Sequence, residues 1–356
     1  MSGANLLFYV DPTWRRDTAH VPLLFPFWGD SSSINTPFTR GAFSKHGYDA
    51  SQYSVIDDIK NADVVLLPYR FDIATQRCPE VIEAAIAMAR AYGKRVVIDS
   101  MGDIEYEIPV AEAIVLKYGG YRFEKKDNEI ILPPYADDLL ERYCNGTLSL
   151  REKRDAPIIG FAGWITAPFT RRLYWSVKEL PKRLHGLVRS RYGACKKGVF
   201  VRMDVVRALS DSHVVETNIL ARKGYSGNVK TAERDIETLR REFVENALES
   251  DICLDVRGDA NNSTRLFEVL SLGRVPLIID TERNFPFSDE LDYRAFSIIV
   301  DFRDIKRLPE IARAAYDAIS PVEWRAMQEK ARAAYREWFR PDALTAHLIR
   351  AIRVRL

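Results

Sequence analysis

The chain has 356 residues, 47% apolar and 29% charged, a globular composition with room for two domains of ordinary size and no resemblance to a disordered protein. Its 52 basic and 50 acidic residues leave a formal charge of +2, so no overall field draws it toward nucleic acid or a membrane surface. Cys78, Cys144, Cys195 and Cys253 are dispersed without zinc spacing or a disulfide framework, which fits reduced thiols in a cytoplasmic protein.

In chain order, Asn5 to Val10 reads as a strand. Asp11 closes it far short of the roughly 20 apolar residues of a membrane span, and no signal peptide precedes it. Asp63 to Pro68 (DVVLLP) is a second strand. Pro79 to Tyr92 reads as a helix with Ile82, Ala85, Ile86 and Ala89 on one face; Gly93 stops it, and Arg95 to Asp99 (RVVID) is the next strand. Helix, glycine and strand in that order form a crossover unit of a parallel sheet. Glu129 to Leu132 is a short strand running into Pro133-Pro134-Tyr135. The adjacent acidic pairs Asp57-Asp58 and Asp137-Asp138 are expected on solvated helix faces.

A polar segment near 145–157 reads as a linker. It gives an N-terminal Rossmann-like domain over 1–150, a C-terminal one over 157–325, and C-terminal helices over 326–356 that can pack back on the first domain. Beyond the linker, Ile158 to Ala162 is a strand, Arg171 to Arg183 a basic helical stretch, Gly198 to Met203 a strand and Thr231 to Glu249 a charged helix. Next come a strand Ile252 to Val256, a loop Arg257 to Asn262, a helix Ser263 to Leu272, a stop at Gly273 and a strand Val275 to Asp280. Helices near Ile305 to Ile319 and Val322 to Phe339 follow. The basic run Lys182 to Arg207 fits a solvated face or an anionic ligand better than nucleic acid, because few aromatics interleave it. The five histidines show no metal spacing.

The stretch Asp251 to Pro276 (DICLDVRGDANNSTRLFEVLSLGRVP) carries the chemistry. A helix opening at Asn262 or Ser263 presents free N–H groups and the positive end of its dipole, a setting for phosphate. Arg257 and Arg265 add fork-shaped donors for phosphate oxygens. Glu268, three residues after Arg265, falls on the same side of the helix, where its carboxylate can accept hydrogen bonds from two ribose hydroxyls. The plain alternative is a surface ion pair, Arg265 with Glu268.

This stretch resembles the C-terminal signature of the exostosin family, glycosyltransferase family 47, through Arg257-Gly258, Ser263, Arg265, Glu268, Gly273 and Pro276; Arg274 stands where the family often has cysteine. Ala62-Asp63-Val64 to Pro68, Ile130 to Tyr135 (IILPPY) and Phe161-Ala162-Gly163 with Arg171-Arg172 resemble further family segments in the same order. The resemblance implies an α/β fold of the GT-B type, two Rossmann-like domains facing a cleft. It also implies an inverting transfer of a sugar from a UDP-sugar to a glycan hydroxyl, as in polysaccharide biosynthesis, without metal or cofactor. On the motif matches, Gly163, Arg172, Arg257, Gly258, Ser263, Arg265 and Glu268 are expected at the donor. The family's membrane anchor is not found in this sequence, which points to a bacterial or viral cytosolic enzyme.

Inversion needs a base opposite the diphosphate. The loop after the RVVID strand is dense in carboxylates; Asp103 is the first expectation and Glu105 the second. A GDP-sugar enzyme of fucosyltransferase-like GT-B type and a non-catalytic nucleotide-sugar or glycan-binding module stay open beside the UDP-sugar reading.

Overall fold

A computed structural model of the chain describes residues 5–29, 37–102, 106–166, 169–180, 189–224, 232 and 234–356. The first strands are β1 (Leu6–Tyr9), β2 (Tyr53–Ile56), β3 (Val64–Leu66), β4 (Val96–Asp99), β5 (Ala113–Tyr118) and β6 (Glu129–Leu132). They form one parallel sheet in the order β2-β1-β3-β4-β5-β6. Helices α1 (Phe25–Trp28), α2 (Pro37–Lys45), α3 (Phe71–Arg77), α4 (Pro79–Ala91) and α5 (Leu139–Tyr143) connect or follow them. Helix α4 shows why the crossover was readable. Pro79 occupies its first turn, where a missing N–H costs nothing, Val81, Ala85 and Ala89 bury one stripe, and Gly93 turns left-handed at φ +63° beyond its end.

The second sheet, also parallel, has the order β11-β10-β9-β7-β8. Its strands are β7 (Ile158–Trp164), β8 (Glu216–Arg222), β9 (Ile252–Asp255), β10 (Val275–Asp280) and β11 (Ile298–Asp301). Its helices are α6 (Phe169–Lys178), α7 (Gly198–Ser210), α8 (Ile236–Glu249), α9 (Thr264–Ser271), α10 (Leu308–Asp317) and α11 (Pro321–Ala334). A π-helical turn, Tyr335–Phe339, leads into α12 (Pro341–Arg353), which carries Leu344, Leu348, Ile349 and Ile352 into the core of the first sheet.

Three expectations are corrected. Gly198 to Met203 is not a strand but the start of α7: Val201, Val205, Val206 and Leu209 turn one helical face into the core of the second sheet. A short apolar run carries no period of its own, and here its continuation decides. Gly198 also packs so close to the β9–α9 loop that a Cβ would lie 1.9 Å from the Gly258 carbonyl oxygen. Asp137 and Asp138 are not solvated. They leave β6 for the short α5, which is wedged between sheets, and both are buried. Asp138 caps α5 and pairs with Arg332 at 2.7 Å; Asp137 pairs with Arg142 at 2.8 Å. Asp57 and Asp58 are exposed, but in a turn after β2 rather than on a helix. Strands β2, β8 and β11, all at sheet edges, and β5 were not drawn from sequence.

The carboxyl ends of the two sheets meet. The loop after β5 crosses to the second sheet, where Asn261 Nδ2 donates to the Gly120 carbonyl at 3.1 Å. Arg122 reaches Asp280 at 2.9 Å and Glu282 at 3.0 Å. Gly119, at φ +59°, lets the backbones approach: a Cβ there would sit 2.5 Å from the Asn261 carbonyl oxygen.

Candidate functional site

In a doubly wound sheet the crevice opens where successive connections leave in opposite directions. In the second sheet that point lies between β7 and β9. A pocket of about 330 Å³ occupies it, lined by Ala162, Gly163 and Trp164 at the end of β7, Val256 and Gly258 after β9, and Asn262 to Arg265 at the start of α9. Ser263 is the N-cap residue of α9, in extended conformation with no side-chain cap bond. The first N–H groups of the helix therefore remain available at the pocket, with the dipole's positive end behind them.

Arg265 and Glu268 both line the pocket, yet they do not pair with one another. Arg265 lies flat on Phe161, 4.3 Å from the ring centroid, and donates from Nη2 to the Ala162 carbonyl at 2.9 Å. Burial holds its pKa below the usual arginine value. Gly163 makes room for it, since a Cβ would stand 2.5 Å from Nη2. Arg240, from α8, grips Glu268 at Oε1 in a buried ion pair. Arg257 does not reach the pocket. Its guanidinium turns aside to Tyr121 Oη and to the carbonyls of Ala194 and Asp259, and so buttresses the loop. Gly258 lines the pocket and closes the loop by donating to the Asn262 carbonyl at 3.0 Å.

Three arginines that sequence reasoning missed complete the lining: Arg202 on α7, Arg222 at the end of β8 and Arg240. Arg202 donates to the Trp164 carbonyl at 2.8 Å and Arg222 to the Leu239 carbonyl at 2.8 Å. Arg202 lay inside the segment misread as a strand, and Arg222 in a strand not drawn, so no sequence pattern joined them to α9. Two donors at the pocket, Asn262 Nδ2 and Arg265 Nε, are buried with no hydrogen-bond partner. A buried donor without an acceptor costs about 1–3 kcal/mol, a cost that an anionic ligand would relieve.

Arg172 belongs to α6. Asp103 and Glu105 lie outside the described residues. Among the described residues, His46, Asp138 and Glu141 bring possible metal-ligand atoms within 4.8 Å of one another. Arg332 already holds Asp138, and Glu141 is bonded to His46 at 2.9 Å and approached by Arg340 at 3.5 Å. Arg332 and Arg340 bring positive charge to these carboxylates. No described helix is long and apolar enough to cross a membrane.

Residues 203–315 match the Exostosin GT47 domain, a span that includes Arg222, Arg240, Gly258, Ser263, Arg265 and Glu268. Over 114 residues the chain is 31% identical to an exostosin-1 homolog of Caenorhabditis elegans, covering 32% of this chain and 29% of that one. Over 52 residues it is 42% identical to a protein of Arabidopsis thaliana named "Probable arabinosyltransferase ARAD1", covering 15% of this chain and 12% of that one. The matches thus span less than a third of either relative. A glycosyltransferase crystal structure from Rickettsia africae aligns over 83% of this chain and 77% of its own, at 11% identity and a TM-score of 0.38.

Proposed function

We propose that the chain is an exostosin-like glycosyltransferase of family 47, that the β7–β9 pocket binds a UDP-sugar, and that the enzyme transfers its sugar with inversion to a glycan hydroxyl. The observation that carries this reading is the concentration of Arg202, Arg222, Arg240 and Arg265 around the N-terminus of α9, with two buried donors still unpaired. The acceptor oxygen attacks the anomeric carbon, the bond from that carbon to the diphosphate oxygen breaks, and the nucleoside diphosphate leaves with the electron pair. Guanidinium groups and a helix N-terminus stabilise the charge that develops on it. Gly163 and Gly258 let the backbone approach the donor, Ser263 opens the anion-binding turn, and Glu268, held by Arg240 at Oε1, offers Oε2 to a ribose hydroxyl. The base belongs on the side of the first sheet; Asp103, then Glu105, are the carboxylates proposed from the loop after β4.

Calorimetric titration with UDP tests the donor site. Wild-type protein is expected to bind UDP in preference to GDP, with affinity unchanged by excess EDTA. Glu268→Ala is expected to lose about 1–3 kcal/mol of binding, the scale of a hydrogen bond to a charged group. Absence of UDP binding by the wild type would overturn the reading. Asp103→Asn tests the base: transfer falls on the order of 10²–10⁴-fold with UDP affinity preserved.

A further inference from the structure

Helix α6 is held by one face. Trp175 packs edge-on against Trp164, at the end of β7, and against Phe200 of α7, with Lys197 Nζ 4.9 Å from its ring centroid. One residue past the helix, Glu179 is buried and accepts from the Lys197 backbone N–H at 2.7 Å. The other face is apolar and turned to solvent. Leu173, Tyr174 and Val177 are 57%, 62% and 65% exposed, and Leu180, at 52%, continues the row. Leu173, Val177 and Leu180 recur at i, i+4 and i+7, so they form a stripe rather than scattered side chains. Single exposed apolar residues are ordinary on a folded surface, whereas a contiguous stripe marks a contact surface.

The charge around this stripe is one-sided. From residue 169 to residue 191 the sequence holds seven lysines and arginines and a single acid, Glu179. That acid is buried and bonded inward, while Lys178 and Arg189 are exposed, as is Arg191, which lies 5.3 Å over the Phe123 ring. The whole chain carries only +2, so the excess is local. A second copy of the chain suits this surface poorly, because a two-fold contact through like patches sets these cations against themselves. A nucleic-acid backbone answers the charge and leaves leucine and valine in water. An anionic bilayer answers both, with acyl chains for the stripe and phosphate headgroups for the cations. We propose that α6 seats the protein on the surface of an anionic lipid bilayer. The helix lies in the plane of the surface, with Leu173, Val177 and Leu180 below the headgroups and Tyr174 at their level. This attachment crosses no membrane and does not depend on the transferase reading. Because Trp164 lines the donor pocket and packs against α6, the pocket lies beside the attached face.

Co-sedimentation of the full chain with lipid vesicles tests this. Vesicles of equal parts phosphatidylcholine and phosphatidylglycerol are expected to carry the protein down, and vesicles of phosphatidylcholine alone to leave it in solution. Binding weakens as salt is raised. Leu173→Gln combined with Val177→Gln keeps good helix formers at exposed positions and is expected to lower vesicle affinity about tenfold or more, with UDP affinity unchanged. Lys178→Gln removes one cation and lowers vesicle affinity about fivefold. Should the double variant fail to fold, Lys178→Gln decides, and unchanged affinity there overturns the proposal. Failure of the wild type to bind the anionic vesicles, equal binding to both kinds of vesicle, or undiminished binding by the folded double variant would each overturn it as well. So would a dimer, seen by analytical ultracentrifugation without lipid, that the double variant dissolves, since the stripe would then belong to a second copy. Absence of UDP binding by the wild type, measured separately, overturns the transferase reading and leaves the vesicle comparison standing.

Discussion

The carboxyl ends of the two sheets are built by the same alternation of strand, loop and helix, and they end in opposite ways. In the first sheet the described side chains close on one another. Tyr48 and Tyr135 join hydroxyl to hydroxyl at 2.7 Å, Tyr118 packs edge-on against Tyr135, and Arg70 closes on Asp72 with two bonds. In the second sheet the space stays open and is lined by guanidinium groups. The two halves share a topology and differ in the residue types at their carboxyl ends. That separation of scaffold from site is why the architecture by itself assigns no chemistry.

The largest effect expected from breaking the comparison falls on the open edge, where the cationic lining depends on buried pairs beside it. Asp255, at the end of β9, holds Arg283 at 2.6 Å with both side chains almost fully buried. Arg283→Ala leaves the Asp255 carboxylate uncompensated and is expected to destabilise the protein by about 3–5 kcal/mol in urea denaturation. A change under 1 kcal/mol would mean that water reaches Asp255 and that this edge is softer than its packing indicates. Gly198→Ala comes next. Its methyl group would collide with the Gly258 carbonyl, a backbone atom that cannot swing aside. Overpacking of this kind costs about 1–3 kcal/mol, and here it also moves the loop under the pocket, so UDP affinity is expected to fall with stability. Unchanged affinity in Gly198→Ala would detach α7 from the donor site.

Sequence reading reached different depths in the two halves. The strands and helix of the β9–α9–β10 unit were legible because their signals are local: a buried strand, a polar loop, a helix opening at Ser263 and Gly273 at φ +64°. Arg265 and Glu268 were legible as lying on one side of the helix, but the ion pair between them that spacing allows does not form, because the side chains that hold them, Phe161 and Arg240, lie 104 and 28 positions away. Arg257 misled for the same reason, since Tyr121 and Ala194, which draw it aside, come from loops distant in sequence. Asp137-Asp138 read as solvated because an acidic pair usually is; nothing local announces Arg332, nearly two hundred residues downstream. Strand β8 (ETNILAR) is solvent-exposed along most of its length, lacks an apolar run and so gave no strand signal.

The filled edge yields a prediction about pH. Asp99 ends β4 wholly buried, and burial pushes its pKa up from 3.8 to about 7, against the opposing pull of the Met101 N–H and Arg70. Between about pH 4 and pH 7 the folded chain therefore keeps a proton that the unfolded chain has released. Stability contributed by this group is full below the unfolded value and declines as pH rises to about 7, where it levels off. Asp99→Asn removes that decline. The difference in stability between variant and wild type, followed by urea denaturation from pH 4 to 8, is expected to favour the variant increasingly up to about pH 7. A difference that stays flat would show that the Asp99 carboxyl is already ionised in the folded state at low pH.

The smallest effect concerns the contact that joins the two edges. Arg122, from the loop after β5, reaches Asp280 at the end of β10 and Glu282 just beyond it, but its side chain is 45% exposed. Water competes for each partner, and Arg303 already pairs with Glu282 at 2.7 Å, so that carboxylate is not stranded when Arg122 goes. Arg122→Ala is expected to cost only about 0.2–1 kcal/mol, and less as salt is raised, as for other exposed ion pairs. The closer packing beside it, where Gly119 meets Asn261, carries the junction instead. The comparison to make is with Gly119→Ala, which places a methyl group against the Asn261 carbonyl at a left-handed position and is expected to cost more. If Arg122→Ala proves the costlier of the two at 0.5 M salt, charge rather than backbone packing holds the filled edge against the open one.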